Sequence, residues 1–61
     1  MNKAMQVCLV EDDAIMGESL ADRFALEGFA CDWHKSAASA AAGLAQKRYD
    51  VVVSAIRLPD R

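Results

Sequence analysis

One apolar run without alternation constrains the fold of this chain more than any other feature. Residues 51–54 read VVVS, and β-branched side chains of this kind favour a strand. A strand that is apolar on both faces is typical of a parallel sheet that is covered on both sides. Parallel strands are joined by crossover connections, which are usually helices. We therefore expect a chain in which strands and helices alternate.

The rest of the sequence supplies this alternation. The segment before the acidic triplet at 11–13 is short, apolar and rich in valine, as strands are. The segment after the triplet repeats apolar residues at four-residue spacing, and a later one is mostly alanine, so both favour helices. The predicted strands span about 5–10, 29–34 and 51–55, and the predicted helices about 13–27 and 36–48. This order predicts an α/β fold, one βαβαβ unit with a three-stranded parallel sheet over 1–61, with no linker that divides it.

Capping residues mark the ends of the predicted helices. Asp12 or Asp13 can cap the first helix, and Gly28 is expected just beyond its end. Ser36 is the expected N-cap of the second helix. The apolar stripe of the first helix comprises Ile15, Met16, Leu20 and Phe24. We expect Met16 to fill part of the core.

The second strand, FACDWH, alternates imperfectly. Its aromatic residues fall on one face with Cys31, and Asp32 and His34 fall on the other. This alternation suits an edge strand that is covered on one side. We expect Trp33 to pack against a helix and His34 to be a solvated residue at the end of the strand.

The charge and the length of the apolar runs exclude several classes of protein. Seven basic and nine acidic residues give a net charge of −2, without the basic stripe of a nucleic-acid-binding protein. The apolar runs are far shorter than the roughly 20 residues that span a bilayer. The N-terminus lacks the features of a signal peptide. We therefore expect a cytoplasmic protein that binds neither nucleic acid nor membranes.

The chain has two cysteines, and both lie in predicted strands. Cys8 and Cys31 lie in apolar segments, so we expect buried thiols and no disulfide. Together with His34 they form a conceivable metal set, but their spacing fits no zinc pattern.

The third strand would lie at an edge of the sheet without the charges that usually protect edges. We therefore expect the chain to be a piece of a larger domain.

Acidic residues follow the first strand at the point where functional groups usually lie in parallel sheets. Glu11 and Asp12 leave the first strand, and Ser54 and Ala55 leave the third, at the same rim of the sheet. Carboxylates and backbone carbonyls there would offer oxygen ligands to Mg²⁺. The alternative is that the acidic residues only cap the helix and interact with its dipole. The spacing alone leaves both interpretations open.

Three motifs together resemble a known family. They are LVEDDAIM at 9–16, GF at 28–29, and YDVVV followed by IRLPD over 49–60. The chain resembles the receiver domain of bacterial two-component response regulators. Its RLPD motif is similar to the corresponding segment in receivers of NtrC-like transcription activators. The resemblance covers the entire chain but only the N-terminal half of a receiver.

This resemblance implies a truncated flavodoxin-like (CheY-like) fold with strand order 2-1-3. It implies that Glu11 and Asp12 hold Mg²⁺, with Asp12 as the direct ligand, and that Asp13 begins the first helix. The backbone carbonyl of Arg57 matches the main-chain metal ligand of the family. A receiver is a phosphorelay signalling module rather than an enzyme. Its partner is a histidine kinase, and its parent protein regulates transcription.

The resemblance places the phosphoacceptor aspartate at position 55, where this chain has Ala55. A methyl group can neither attack phosphorus nor bind Mg²⁺, so we expect no phosphorylation and a weak or absent metal site. Ser54 should face the opposite side of the sheet and lacks an activating base. Ala55 is either an engineered substitution or a feature of a naturally degenerate receiver. Its place in an otherwise intact motif favours the first explanation.

Two alternatives to a receiver belong to other classes of protein. The chain could instead be a structural fragment that self-associates into a homo-oligomer through the third strand and the first helix. A nucleotide-binding enzyme of Rossmann type would need G-x-G-x-x-G after the first strand. The acidic triplet at 11–13 stands there instead and would repel phosphate.

Overall fold

A computed structural model describes residues 4–55 and shows a three-stranded parallel sheet with two helices. The elements are β1 (Gln6–Val10), α1 (Ala14–Leu26), β2 (Ala30–His34), α2 (Ala37–Gln46) and β3 (Val51–Ser54). The order of the strands in the sheet is β2-β1-β3. The α/β class, the βαβαβ order and the 2-1-3 arrangement of the strands are therefore confirmed. The elements begin and end within two residues of their predicted bounds.

The central strand β1 sets the register of both neighbours. Val10, at its end, lies opposite His34 of β2 and Ser54 of β3. Backbone hydrogen bonds continue past the strands, because the Glu11 amide donates to the His34 carbonyl and the Ala55 amide to the Val10 carbonyl. The loop after β1 and the residue after β3 consequently lie at the same rim of the sheet.

The core is small and lies almost entirely on β1. Its buried apolar residues are Val7, Cys8, Leu9 and Val10 of β1 and Ala40 of α2. Tyr49 packs against the part of this core that faces α2. The helices contact β1 and β2 but not β3. In the described part of the chain, the buried apolar residues therefore lie on the central strand and, at Ala40, on α2.

The prediction that both faces of the third strand are covered is wrong for the residues that the structure describes. Val51 is 39% exposed and Val52 is 50% exposed. The physical reason is that neither α1 nor α2 reaches β3, which pairs with β1. The apolar character of VVVS correctly indicated a parallel strand, but not its surroundings.

The first helix has the expected ends but not the expected buried face. Asp13 is its N-cap, and Gly28 follows its end with a φ of 91°, a conformation that favours glycine. Met16 is half-exposed, so it does not fill the core as predicted, and Ile15 beside it is 81% exposed. The buried residue of α1 is Gly17, which lies against the Trp33 ring.

The second strand is covered on both faces, although one covered face was predicted. Trp33 packs against α1, as expected. On the other face His34 is not solvated, because its Nε2 is buried beside Gly43 of α2 and its Nδ1 lies 2.8 Å from the Ser39 hydroxyl. The alanine-rich sequence of α2 explains this close approach, because its small side chains let β2 side chains reach the helix.

Two further observations concern the thiols and the membrane. Cys8 and Cys31 are both free thiols, and burial raises the pKa of each. A raised pKa keeps a thiol protonated and weakly reactive. Between residues 4 and 55, neither helix has the length and apolar character needed to cross a membrane.

Candidate functional site

The loop after β1 and the end of β3 border one cleft of about 510 Å³. It is lined by Glu11, Asp12, Asp13, Met16, Leu20 and Ala55. The parallel arrangement of β1 and β3 brings together residues that are more than forty positions apart in sequence. The structure therefore places the predicted acidic residues and position 55 in a common cleft.

Glu11 is a buried acidic residue whose carboxylate and backbone both form hydrogen bonds. It is only 4% exposed. Its Oε2 accepts a hydrogen bond of 2.9 Å from the Asp13 amide, and its own amide donates to the His34 carbonyl at 2.9 Å. A buried carboxylate is stable only where such donors compensate for lost hydration. Glu11 is thus fixed in one position at the inner end of the cleft.

The other two acidic residues of the loop differ in what they bind. The Asp13 carboxylate accepts a hydrogen bond of 2.9 Å from the Met16 amide, which makes it the N-cap of α1. Asp12 is exposed, and no side chain among residues 4–55 donates to its carboxylate. Of the two capping candidates in the sequence, Asp13 is the cap. Asp12 is therefore the acid whose side chain remains available to a ligand in the cleft.

The two residues at the end of β3 face different sides of the sheet. Ala55 borders the acidic cleft, whereas Ser54 borders an apolar groove of about 360 Å³ between α2 and β3. The predicted opposite orientation of Ser54 and position 55 is therefore confirmed. A serine on the far side of the sheet cannot substitute for a nucleophile in the cleft.

The described residues do not complete a Mg²⁺ site by themselves. Among residues 4–55, no three His, Cys, Asp or Glu side chains are grouped so that they could hold a metal ion. Mg²⁺ requires nearly octahedral oxygen coordination, and the cleft offers the carboxylates of Glu11 and Asp12 beside the methyl group of Ala55. The predicted Arg57 carbonyl lies outside the described residues.

The conceivable metal set of Cys8, Cys31 and His34 does not form a metal-binding group either. The polar residues on the face of β2 that is turned towards α2 form hydrogen bonds with nearby side chains instead. The Asp32 carboxylate accepts hydrogen bonds from Lys47 Nζ at 2.8 Å and from the Tyr49 hydroxyl at 2.5 Å. These two hydrogen bonds lower the pKa of Asp32, and the carboxylate in turn raises the pKa of Tyr49 to about 12.

One residue that contacts the acidic loop was not identified as a site residue from the sequence. The Trp33 Nε1–H donates to the Glu11 carbonyl at 2.9 Å. The alternation of β2 indicated that Trp33 packs against a helix, but hydrogen bonding between β2 and the loop depends on the register of the sheet. The paired Gly17 was a usable signal, because a glycine inside a helix often lets a large side chain approach.

Comparisons with known proteins do not identify a relative. Neither family models, nor curated proteins, nor solved structures match the chain. The function proposed below therefore depends on the cleft and on the motifs that surround it.

Proposed function

We propose that this chain is the N-terminal half of a receiver domain from a bacterial response regulator, in which position 55 cannot accept a phosphoryl group. One observation carries the proposal. The residue after β3 borders the same cleft as Glu11 and Asp12. That juxtaposition, within a 2-1-3 parallel sheet, is the arrangement that the motifs around 9–16 and 49–60 imply.

The chemistry of a receiver explains why Ala55 matters. In the family, an oxygen of an aspartate attacks the phosphorus of a phosphohistidine on the partner kinase, and the bond from phosphorus to the imidazole nitrogen breaks. Ala55 offers no lone pair for this attack. Of the other acids that line the cleft, Asp13 caps α1 and Glu11 is bound by the Asp13 amide, while the resemblance assigns Asp12 to Mg²⁺ and not to the phosphoryl group. The chain would therefore neither accept nor pass on a phosphoryl group.

The wider role follows from the same proposal. The parent protein would receive its signal from a histidine kinase in the cytoplasm and regulate transcription. The chain itself would be a signalling module that cannot accept a phosphoryl group, rather than an enzyme. Acidic side chains that converge without a cation repel one another. Alanine at position 55 removes one such charge next to Glu11 and Asp12.

Restoring the acid tests the proposal. In Ala55→Asp a third carboxylate faces the cleft with Glu11 and Asp12, and three carboxylates are a plausible oxygen set for Mg²⁺. We expect this variant to bind Mg²⁺ at least ~10-fold more tightly than the unmodified chain, which corresponds to ~1.4 kcal/mol. Calorimetric titration with MgCl₂ measures the affinity.

Ala55→Asn is the matched control, because asparagine has nearly the same shape as aspartate without its charge. Equal Mg²⁺ affinity of Ala55→Asp and Ala55→Asn would contradict the proposed site. Acetyl phosphate supplies a second criterion. We expect a phosphoryl adduct labile to hydroxylamine on Ala55→Asp, and none on Ala55→Asn.

The second candidate function is self-association, and the exposed apolar surface favours it. Val51 and Val52 are exposed on β3, as is Leu26 on α1, at 84%. The apolar groove beside Val52 also includes Leu44, which is 43% exposed. A second copy of the chain could cover these surfaces, because unprotected edge strands readily pair with other strands.

Sedimentation velocity over a range of concentrations tests self-association. We expect a dimer that dissociates in Val52→Lys, because a charge on the edge strand opposes pairing. Gln46→Lys is the control, since it adds the same charge at an exposed residue that does not border the groove. A monomer at all concentrations would exclude this candidate.

A further inference from the structure

The contact between Trp33 and the acidic loop supports an inference that goes beyond the cleft itself. Trp33 Nε1 lies 2.9 Å from the Glu11 carbonyl, although 22 positions separate the two residues in sequence. Trp33 is the only tryptophan of the chain. We infer that Trp33 is the positioning residue of the loop at 11–13. The inference rests on the proposed function, in which this loop supplies the carboxylates of the cleft.

The backbone of Glu11 is held by β2 on both sides of the residue. Its N–H donates to the His34 carbonyl, and its carbonyl accepts from the Trp33 indole. Glu11 is 4% exposed, so water cannot readily replace the indole as a donor. The Glu11 carbonyl belongs to the same peptide plane as the Asp12 N–H. The indole therefore fixes the plane from which the Asp12 carboxylate projects.

The Trp33 ring also contacts the element that follows the loop. A methyl group at Gly17 would overlap the indole, so the ring lies directly against the second turn of α1. The Gly17 amide donates to the Asp13 carbonyl at 2.8 Å, which connects this part of the helix with its cap. Lys35 Nζ lies 5.4 Å from the ring centroid and adds a cation–π contact. Trp33 thus contacts both the start of the acidic loop and the helix that follows the loop.

An isosteric replacement separates the hydrogen bond from the packing. In Trp33→benzothienylalanine, made by chemical synthesis of the 61-residue chain, sulfur replaces the indole N–H and the shape of the ring is kept. We expect the Asp13 amide, which is bonded to the Glu11 carboxylate, to exchange with solvent deuterium about 10-fold faster, which corresponds to ~1.4 kcal/mol. The Ser39 amide, bonded to the Ser36 hydroxyl at the start of α2, should keep its rate.

The control is Tyr49→Phe, which removes a donor to β2 on the opposite face. It should leave the exchange of the Asp13 amide unchanged. Equal acceleration of Asp13 and Ser39 in the benzothienylalanine chain would show general destabilisation and overturn the inference, as would no acceleration at all. The unmodified chain gives a further criterion. Its indole N–H should exchange at least ~10-fold more slowly than that of free tryptophan, and equally fast exchange would overturn the inference.

A Mg²⁺ titration distinguishes failure of the inference from failure of the proposed function. In the Ala55→Asp background, the benzothienylalanine replacement should lower the Mg²⁺ affinity about 10-fold, or ~1.4 kcal/mol. An Ala55→Asp chain without affinity for Mg²⁺ would overturn the proposed function. The exchange rate of the Asp13 amide would then still decide the role of Trp33.

Discussion

At the scale of single residues, the contact between Gly17 and Trp33 permits no side chain at position 17. An added methyl group would overlap the indole ring. We expect Gly17→Ala to lower the free energy of unfolding by about 1–3 kcal/mol, as overpacking does, despite the preference of helices for alanine. Urea unfolding measures the change. Glu18→Ala, at the exposed neighbouring residue, is the control, and equal stability of the two variants would refute the close packing.

Asp32 and Tyr49 form a second arrangement that can be tested residue by residue. The carboxylate raises the pKa of Tyr49 to about 12, and hydrogen bonds from Lys47 and Tyr49 lower the pKa of Asp32. Tyr49 is the only tyrosine of the chain, so its ionisation can be followed by absorbance. We expect a midpoint near the raised value in the unmodified chain and a return toward about 10 in Asp32→Asn. An ordinary midpoint in both chains would contradict the hydrogen bond.

The same pair predicts how stability depends on pH. The raised pKa of Tyr49 means that its contribution is present below the ordinary tyrosine pKa of about 10 and is lost as the pH rises toward about 12. The lowered pKa of Asp32 means that its contribution is present above the ordinary aspartate pKa and is lost as the pH falls below it. Urea unfolding should show a smaller alkaline loss in Tyr49→Phe than in the unmodified chain.

At the scale of elements, Asp13 is the residue that starts α1. Its carboxylate accepts from the Met16 amide at 2.9 Å. We expect Asp13→Ala to cost about 1 kcal/mol of stability and Asp13→Asn much less, because asparagine is also a good N-cap. In the Ala55→Asp background, Asp13→Asn should leave Mg²⁺ affinity unchanged. A loss of affinity there would show that Asp13 acts as a ligand rather than as a cap.

Elements were predictable from the sequence because their signals are local. Gly28, with its positive φ, and the side-chain caps Asp13 and Ser36 act within a few residues of the helix end that they mark. The face that each helix buries depends instead on the opposing surface. Spacing indicated that Met16 fills the core, but α1 lies against the bulky indole of Trp33 at Gly17. The spacing of apolar residues along a helix does not reveal how large the side chain is that packs against it from the sheet.

At the scale of the whole molecule, one strand supplies most of the buried apolar residues among 4–55. Leu9 is fully buried in β1, whereas Leu26 is 84% exposed at the end of α1. We expect Leu9→Ala to cost about 2–5 kcal/mol. A chain of this size has only ~3–5 kcal/mol available, so this variant should be largely unfolded. Leu26→Ala is the matched control and should unfold like the unmodified chain, by circular dichroism in urea. Equal midpoints would contradict the central position of β1.

The cleft was predictable because the direction and the order of the strands determine which residues meet there. Once β1 and β3 are parallel neighbours, the residues that follow them meet at one rim, and Glu11, Asp12 and Ala55 do so. The exposure of β3 was not predictable in this way. The apolar character of Val51 and Val52 indicates that they can be buried, but not which element covers them.

The central place of β1 has a consequence for synthesis on the ribosome. The strand that both neighbours need is translated first, so its two hydrogen-bonding edges remain open until Ala30–His34 has emerged. One edge then stays open until Val51–Ser54 follows. The most buried strand of the sheet is thus the nascent segment that waits longest for its partners, and it is the segment that a chaperone would have the most opportunity to hold.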